Sequence, residues 1–386
     1  MKFYALASVL AAVLVIGCGG STQQGGGGSS GGSGGGSVTL DSGPWPSPRG
    51  NAQGLAVGKG ATITGIQNWN YFTTGQITGS PVLASDGNVY FCSADGNLYS
   101  MTQGGGLNWR FQSGGGIANS SPAVGSNGKV YFEDLGGTLY AINTADGSVA
   151  WNVATGASGR VSASVMVGTD VVFAPTATGV SAYNAKTGAV VWTFACGAVQ
   201  GGFSLTTGGN LLFGSDDKNV YDLVASTGAQ NWAYLTGGAV RSTPLASGFG
   251  VICASGDGKI YCLDESNSVV VWTANIGGAL TASPALSHGR LAEVSPNGNF
   301  DVYLANGGVR LWRATVTPGS GSPVSARDGA FYLADGNGVL RGYDGVTGRV
   351  LWQFYGGGSP GFYNMGIDVN GNVYVGSSLN SITSLR

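Results

Sequence analysis

Few side chains in this sequence could take part in chemistry. The chain has one histidine, five cysteines and three adjacent acidic pairs, namely Glu133-Asp134, Asp216-Asp217 and Asp264-Glu265. Paired carboxylates can act as acid and base when their surroundings push their pKa values apart. We expect instead that these pairs are solvated loop ends or strand edges, and that His288 lies in a surface turn. The sequence therefore predicts no catalytic residue and no metal site.

Cys253 and Cys262 are candidates for a cross-strand disulfide. They flank Asp257-Gly258 at equal distances. In a two-residue hairpin this places them directly opposite each other, at a pair where the Cα atoms are only about 4.5 Å apart. The alternative is two buried thiols, because position 262 matches the small residues Ala141 and Ala182 of other repeats. Both possibilities stay open.

The composition indicates the kind of fold that must position these side chains. Of 386 residues, 72 are Gly, 42% are hydrophobic, and 17 Lys and Arg balance 19 Asp and Glu to a formal charge of -2. The hydrophobic content excludes a disordered protein. The many glycines argue against long helices, because each Gly weakens a helix by roughly 1 kcal/mol relative to Ala. Near-zero charge gives no electrostatic footprint for nucleic acid. We therefore expect an all-β protein that does not bind nucleic acid.

Tryptophan recurs every 40 to 42 residues along most of the chain. The series is Trp69, Trp109, Trp151, Trp192, Trp232, Trp272, Trp312 and Trp352. Fixed spacing near 40 in an all-β composition predicts a propeller with about four strands in each blade. Turn pairs such as Asp86-Gly87 and Asn127-Gly128 recur at the same interval, as expected for tight hairpins whose central residues need positive φ.

The two ends of the chain decide the number of blades. Seven full repeats end at Trp109 through Trp352, and the last piece, residues 353–386, has no tryptophan strand of its own. The strand around Trp69 would supply it. We therefore expect an eight-bladed propeller of four-stranded antiparallel blades over residues 41–386, with the N-terminal strand closing the last blade. Such a ring has no open sheet edge, so we expect a monomer.

The N-terminal segment has the pattern of an export signal. Lys2 precedes an apolar run from Tyr4 to Ile16, which is too short to span a bilayer but has the length of a secretory signal. Residues 15–18 resemble the bacterial lipobox, so we expect a signal peptide over 1–17 and lipidation of Cys18; a plain signal peptide is the alternative. Residues 18–40 would form a flexible tether, because residues 19–37 contain 11 Gly and 5 Ser. A flexible coil of the length of residues 19–37 has an end-to-end distance of about 25 Å.

Stretches of eleven residues ending at Trp151 and Trp192 resemble the tryptophan-docking repeat of the quinoprotein-like (PQQ-type) propeller family. Each has a Gly four residues before the Trp, at Gly147 and Gly188, within a tight turn. Weaker copies end at Trp232 and Trp352, and the copies at Trp272 and Trp312 have degenerate turns. A Trp placed in this way would lie flat between neighbouring blades and bury on the order of 200 Å².

The resemblance covers residues 44–386 and implies two alternative functions. The enzymatic branch of the family binds pyrroloquinoline quinone with a disulfide of adjacent cysteines, a carboxylate-bound Ca²⁺ and a catalytic Asp, and this chain has no adjacent cysteine pair. The chain also resembles the BamB-like lipoproteins that support insertion of outer-membrane β-barrel proteins. We therefore expect a non-enzymatic scaffold without a cofactor, on the periplasmic face of the outer membrane, whose partners are envelope proteins such as the β-barrel assembly machinery. A quinone-dependent oxidoreductase or cofactor sensor is the alternative.

In that family the loops joining one blade to the next surround one mouth of the central channel. Here these loops carry the least repetitive polar residues, which are Asn119, Arg160, Arg241, Thr281, Ser320 and Asn364. The resemblance implies that they could bind a ligand, and that Arg160 and Arg241 could hold an anion or a carboxylate. The alternative is that both are ordinary surface arginines.

Overall fold

The computed structural model describes residues 39–386 except 118–119, 158–164, 320 and 357–360, and all side chains among them other than that of Phe362. The described residues form 32 strands in eight four-stranded sheets, and every neighbouring pair of strands within a sheet is antiparallel. This confirms the predicted eight-bladed β-propeller. Among the described residues there is no helix with the length and hydrophobicity to cross a bilayer.

The strands follow one another from the inside of each blade to its outside. Their bounds are as follows: β1 Gln67–Phe72; blade 1, β2 Val82–Leu83, β3 Asn88–Cys92, β4 Asn97–Thr102, β5 Leu107–Gln112; blade 2, β6 Ala123–Gly125, β7 Lys129–Glu133, β8 Thr138–Asn143, β9 Val149–Ala154; blade 3, β10 Met166–Val167, β11 Val171–Thr176, β12 Gly179–Asn184, β13 Val190–Ala195; blade 4, β14 Phe203–Leu205, β15 Leu211–Gly214, β16 Asn219–Leu223, β17 Gln230–Leu235; blade 5, β18 Leu245–Ser247, β19 Gly250–Ala254, β20 Lys259–Leu263, β21 Val270–Asn275; blade 6, β22 Ala285–Ser287, β23 Arg290–Val294, β24 Asn299–Leu304, β25 Val309–Thr315; blade 7, β26 Val324–Ser325, β27 Phe331–Ala334, β28 Val339–Tyr343, β29 Val350–Tyr355; blade 8, β30 Phe362–Ile367, β31 Val373–Ser377, β32 Ser381–Leu385.

The last blade is closed by the N-terminal strand. Strand β1 pairs with β32, with Trp69 opposite Ser384 and Phe72 opposite Ser381, so the sheet order is β30, β31, β32, β1. The first strands of neighbouring blades contact each other, for example β14 with β18 and β22 with β26. These inner strands therefore surround the axis.

The hydrophobic core lies between the blades. One cluster joins Leu212, Val220 and Trp232 of blade 4 to Cys253 and Tyr261 of blade 5. The large inward residues of the middle strands, such as Tyr90, Phe132 and Phe213, are fully buried. Each blade is therefore apolar on both faces, which explains why charged residues are scarce in the sequence.

The tryptophans of the 40-residue series lie at these contacts between blades. In seven of them Nε1 donates to a backbone carbonyl in the next blade, at 2.8 to 3.2 Å; the donors are Trp69, Trp109, Trp151, Trp192, Trp232, Trp272 and Trp312. The ring usually packs on a glycine with positive φ, as Trp151 does on Gly188 (φ 75°), where an added Cβ would lie 2.8 Å from the ring. Trp352 packs instead on Gly65, in the segment that precedes β1.

A lead-in segment, residues 39–66, crosses one end of the channel before the chain enters β1. Its backbone forms hydrogen bonds to the inner strands of blades 1, 2, 4, 5, 6 and 7, through the amides or carbonyls of Leu83, Val124, Leu205, Ala246, Leu286 and Ser325. Trp45 in this segment is fully buried. The lead-in segment therefore closes this end of the ring and ties six blades together.

Candidate functional site

A belt of polar side chains surrounds a channel mouth that residues Pro48 and Arg49 of the lead-in segment also line. Each belt residue stands just before or at the start of an inner strand and accepts a hydrogen bond from the preceding blade. The bonds are Ser80 N to Ser121 Oγ (2.8 Å), Gly202 N to Thr243 Oγ1 (2.9 Å), Thr243 N to Ser283 Oγ (2.8 Å), Ser283 N to Ser322 Oγ (2.9 Å) and Ser322 N to Asn364 Oδ1 (3.4 Å). We call Ser121, Thr243, Ser283, Ser322 and Asn364 the hydroxyl belt.

The hydroxyl belt has a local sequence cause. Four of its members stand two residues before an inner strand, and each of these four is followed by a proline. They are Ser121, Thr243, Ser283 and Ser322. Proline restricts the preceding residue to an extended conformation and has no N–H to pair. The hydroxyl before it can therefore meet the backbone N–H of the neighbouring blade, which links the blades around the axis.

Arg49 forms the floor of this mouth. It lies in the turn of residues 47–50, is only 6% exposed, and its Nη2 donates to the carbonyls of Ser283 (3.0 Å), Pro284 (2.7 Å) and Pro323 (3.0 Å). Burial lowers the pKa of Arg49 to about 10, which the charge of Glu293 partly opposes. The guanidinium is therefore still protonated at neutral pH and holds blades 6 and 7 to the lead-in segment.

The cavity between belt and floor has a volume of about 220 Å³. Among the predicted mouth residues, Arg241, Thr281 and Asn364 line it. Asn364 Nδ2 also donates to the carbonyl of Thr78 at 3.4 Å, so its amide belongs to the ring of bonds. Asn119, Arg160 and Ser320 lie outside the described residues.

Arg241 is paired with an acid at the rim. Its Nε donates to Asp216 Oδ1 at 2.7 Å and its Nη2 to Asp216 Oδ2 at 3.3 Å. This pair raises the pKa of Arg241. Gln200 donates to the same carboxylate at 2.5 Å. The charge of Arg241 is thus compensated within the protein.

The register of blade 5 differs from the predicted two-residue hairpin, which would have placed Cys253 and Cys262 opposite each other. Cys253 lies opposite Tyr261, and Cys262 lies opposite Ile252. The turn between them has three residues rather than two, because Ser255 pairs with Lys259. The shift of one residue sends the thiols to opposite faces of the sheet, where they join different core clusters. Both are free, and burial raises the pKa of Cys262 to about 12.

The acidic residues have separate structural partners. Asp86, Asp95, Asp257 and Asp335 each accept the backbone N–H two residues further on, as turn formers do. Asp264 accepts from Ser266, and Glu265 accepts from Thr207. His288 lies in an exposed turn with φ of 51°.

Glu133 and Asp134 differ from the expectation of a solvated pair, because both are buried. Asp134 accepts the backbone N–H groups of Gly115 and Thr138. Glu133 accepts a short hydrogen bond from Thr155, and burial raises its pKa to about 7. Glu133 stands at the end of β7, where Thr155, which follows β9 of the same blade, contacts it.

The sequence shows residues 44–51 only as an entry segment similar to the lead-in of the propeller family, and it predicted neither where this segment packs nor the buried position of Arg49. The segment has no counterpart in the 40-residue repeat, so periodicity gives no information about where it packs. Its signal was the run Trp45-Pro46-Ser47-Pro48-Arg49, in which one arginine stands between prolines and a glycine in a chain that has few charges.

Comparison with known proteins places this geometry in a family. The family profile described as "Outer membrane protein assembly factor BamB" matches residues 53–193, 176–275 and 256–385. No curated protein sequence matches the chain significantly.

Solved structures with the same fold include a BamB protein and two dehydrogenases. BamB from Moraxella catarrhalis is 18% identical with a TM-score of 0.72, over 84% of this chain and 100% of that chain. Quinohemoprotein alcohol dehydrogenase from Comamonas testosteroni is 14% identical with a TM-score of 0.74, over 88% and 80%. A europium-containing methanol dehydrogenase is 15% identical with a TM-score of 0.74, over 86% and 89%. At these identities the likeness concerns the fold.

Proposed function

Because this chain belongs to the outer membrane protein assembly factor BamB family, we propose that it is a non-enzymatic scaffold of the bacterial cell envelope that supports assembly of outer-membrane β-barrel proteins. In this proposal Cys18 is lipidated, residues 18–40 tether the propeller to the periplasmic face of the outer membrane, and the ring acts as a monomer. Its partners are envelope proteins, and no nucleic acid or cofactor is required.

The observation that carries the proposal is the structural use of the channel. Backbone and side-chain groups of the hydroxyl belt bind neighbouring blades, and the lead-in segment binds the inner strands of six blades. These bonds cross-link the blades around the axis. A cross-linked ring that presents its loops is suited to holding a partner in a fixed position.

The similarity to BamB from Moraxella catarrhalis supports the same proposal. The propeller described here corresponds to the whole of that chain, whereas about a fifth of the Comamonas testosteroni dehydrogenase lies outside the match. The BamB chain therefore consists of a region that matches this propeller and nothing more.

The second candidate is a quinone-dependent oxidoreductase, and the dehydrogenases of the same fold favour it. The described mouth residues do not fit a bound quinone. The cavity of about 220 Å³ is smaller than the roughly 300–1,000 Å³ of pockets for ligands of that size. Arg241 is already paired, and the described residues contain no group of three or more His, Cys, Asp or Glu side chains able to hold a metal ion.

Two experiments test these proposals. The purified chain is titrated with pyrroloquinoline quinone and Ca²⁺, and we expect neither a bound cofactor spectrum nor dye-linked oxidation of alcohols or sugars. A saturable spectrum with turnover would overturn the scaffold proposal in favour of a quinone-dependent oxidoreductase.

The second experiment tests the lipid anchor by comparing wild type and Cys18→Ser in membrane fractionation. Wild type should sediment with membranes and Cys18→Ser should not. Equal distribution of the two would contradict the lipid tether.

A further inference from the structure

A cavity of about 550 Å³ lies at the junction of blades 4 and 5. It is bounded by the turns that join β14 to β15 and β18 to β19, and by the turn between β20 and β21. Its volume is within the range of roughly 300–1,000 Å³ that ligand pockets have. The described residues that line it include three acids, Asp222, Asp264 and Glu265, and no Lys, Arg or His.

The acid at position 265 is not required by the fold. The carbonyl of Glu265 accepts the Nε1–H of Trp232 at 2.9 Å. The carbonyls that play the same part for other tryptophans belong to uncharged residues, namely Gln103, Thr144, Ala185, Ala225, Ala305 and Gly345. The backbone makes this contact without a carboxylate, so Glu265 is a departure from the repeat.

Asp222 departs from the repeat in the same way. It is 2% exposed and lies opposite Trp232 in the sheet of blade 4. In blades 2 and 3 the residue in that place is Ala141 or Ala182, and none of the eight described sheets has another charged residue there. Burial raises the pKa of Asp222, and the charge of Glu265 adds to this rise. A buried acid is costly at a position that accepts alanine, so packing does not explain its presence.

The negative charge of the cavity is not neutralised by the protein. Within the described ranges none of the three carboxylates forms an ion pair. Glu265 Oε1 accepts both the backbone N–H of Thr207 (2.8 Å) and its hydroxyl (2.7 Å), and no group of the described residues donates to Oε2. Like charges that share a site repel each other. A cationic group in the cavity would therefore be stabilised by all three acids.

The rim of the cavity is apolar. Phe249 and Val271 line it, with 40% and 53% of their surfaces exposed. In the corresponding two-residue turn of blade 6 the position of Phe249 is occupied by Gly289. An exposed aromatic ring can pack against the aliphatic stem of an arginine or lysine side chain and attracts its cationic head. The cavity thus combines negative charge with an apolar contact surface.

We propose that this cavity is a docking site for a segment of a partner protein that inserts one arginine or lysine side chain. The cationic head pairs with Asp264 and Glu265 in the negative field of Asp222, and neighbouring apolar residues of the segment pack on Phe249 and Val271. Charge complementarity favours this occupant, because the described lining has three acids and no cation. A metal ion fits less well, since among the described residues no three acidic, His or Cys side chains are grouped so as to hold one. The docking site does not require that the partner belong to outer-membrane assembly.

Isothermal titration calorimetry of the purified chain with the capped tripeptide acetyl-Leu-Arg-Leu-amide tests the proposal. The same peptide with citrulline in place of arginine keeps the shape of the side chain but has no charge. We expect saturable binding of one arginine peptide per chain, and binding of the citrulline peptide weaker by about ten-fold or more, the usual effect of losing a charge-assisted hydrogen bond. Equal binding of the two peptides, or no saturable binding of either, would overturn the proposal.

A third ligand separates a docked segment from a free cation. Agmatine carries the guanidinium and its aliphatic stem without flanking residues, so it should bind more weakly than the arginine peptide. Agmatine that binds as tightly as the peptide would show that the apolar rim takes no part, and it would overturn docking of a protein segment.

Variants taken from other blades locate the site. Asp264→Asn combined with Glu265→Ala gives blade 5 the residues that blade 3 has at Asn184 and Ala185, and it should weaken peptide binding about ten-fold or more. Phe249→Ala should weaken it about three-fold through loss of the aromatic face. Asp344→Asn makes the same change in the corresponding turn of blade 7; it is the matched control and should bind as wild type does.

Thermal melting shows whether each variant is folded. If the double variant does not fold, Phe249→Ala carries the test, because its ring is exposed at the surface. Unchanged binding in both the double variant and Phe249→Ala would place the peptide elsewhere and contradict the proposal. The measurement contains no envelope component, so its failure would leave the scaffold proposal unaffected.

Discussion

Replacement of Glu133 by glutamine should remove a pH-dependent loss of stability. Burial, with a smaller contribution from the neighbouring Asp134, raises the pKa of Glu133 from its ordinary value of 4.5 to about 7. An acid whose pKa is higher in the folded state keeps its proton there while the unfolded chain releases it. Its contribution is therefore favourable below pH 4.5 and is lost as the pH rises to about 7.

The size of this effect follows from the pKa interval. At about 1.36 kcal/mol for each pKa unit, the change from 4.5 to about 7 is worth about 3 kcal/mol. Glutamine has nearly the same shape, never ionises, and can still accept the hydrogen bond of Thr155. Wild type and Glu133→Gln should therefore be similar in stability near pH 4.5, and the variant should be more stable by about 3 kcal/mol at pH 8.

Equilibrium urea unfolding of both proteins from pH 4.5 to pH 8 measures the difference directly. Only the difference between the two curves matters, because all other titrating groups are common to both. Parallel curves with a constant offset would show that Glu133 does not retain its proton in the folded state, and the reasoning from its burial would be refuted.

Three further perturbations test the contacts that hold the ring together. Trp192→Ala should lower the free energy of unfolding by about 3–5 kcal/mol, and Trp192→Phe by about 1 kcal/mol through loss of the Nε1 hydrogen bond to Ala225; a Trp192→Phe protein as stable as wild type in urea unfolding would contradict a role for that bond. Ser268 has φ of 59° at the position where other docking turns have glycine. Ser268→Gly should therefore raise the free energy of unfolding by about 0.5–1 kcal/mol and raise the melting temperature. Ser266→Gly in the same turn is the control and should not raise the melting temperature. Deletion of residues 67–72 should unfold or oligomerise the chain in light scattering, because β32 loses its partner; a monomer with unchanged melting would contradict closure by β1.

The fold was predictable because a propeller repeats one packing solution. Each tryptophan must reach the docking turn of the next blade, so its spacing along the chain equals the length of a blade. The absence of a tryptophan after Trp352 was enough to assign the strand around Trp69 to the last blade. Both inferences depend only on contacts that recur.

Register and the channel were less accessible from sequence. Asp257-Gly258 predicts a two-residue turn, but Ser255 pairs with Lys259, and this shift of one residue separates Cys253 from Cys262. The hydroxyl belt depends on how neighbouring blades align, which no local pattern encodes. Arg49 lies in a segment that occurs once, and its buried position follows from contacts with residues more than 230 positions away.

The scaffold proposal is tested most directly by isolating the protein with its neighbours in the envelope. An affinity tag inserted in the Gly/Ser segment, within residues 25–36, leaves the described ring unchanged. After cross-linking in intact cells and purification in detergent, mass spectrometry identifies the co-purified proteins, with a tagged unrelated lipoprotein and Cys18→Ser as controls. We expect β-barrel assembly components to be enriched with wild type over both controls. Recovery of a lipidated, membrane-bound protein without any of these components would contradict a role in outer-membrane assembly.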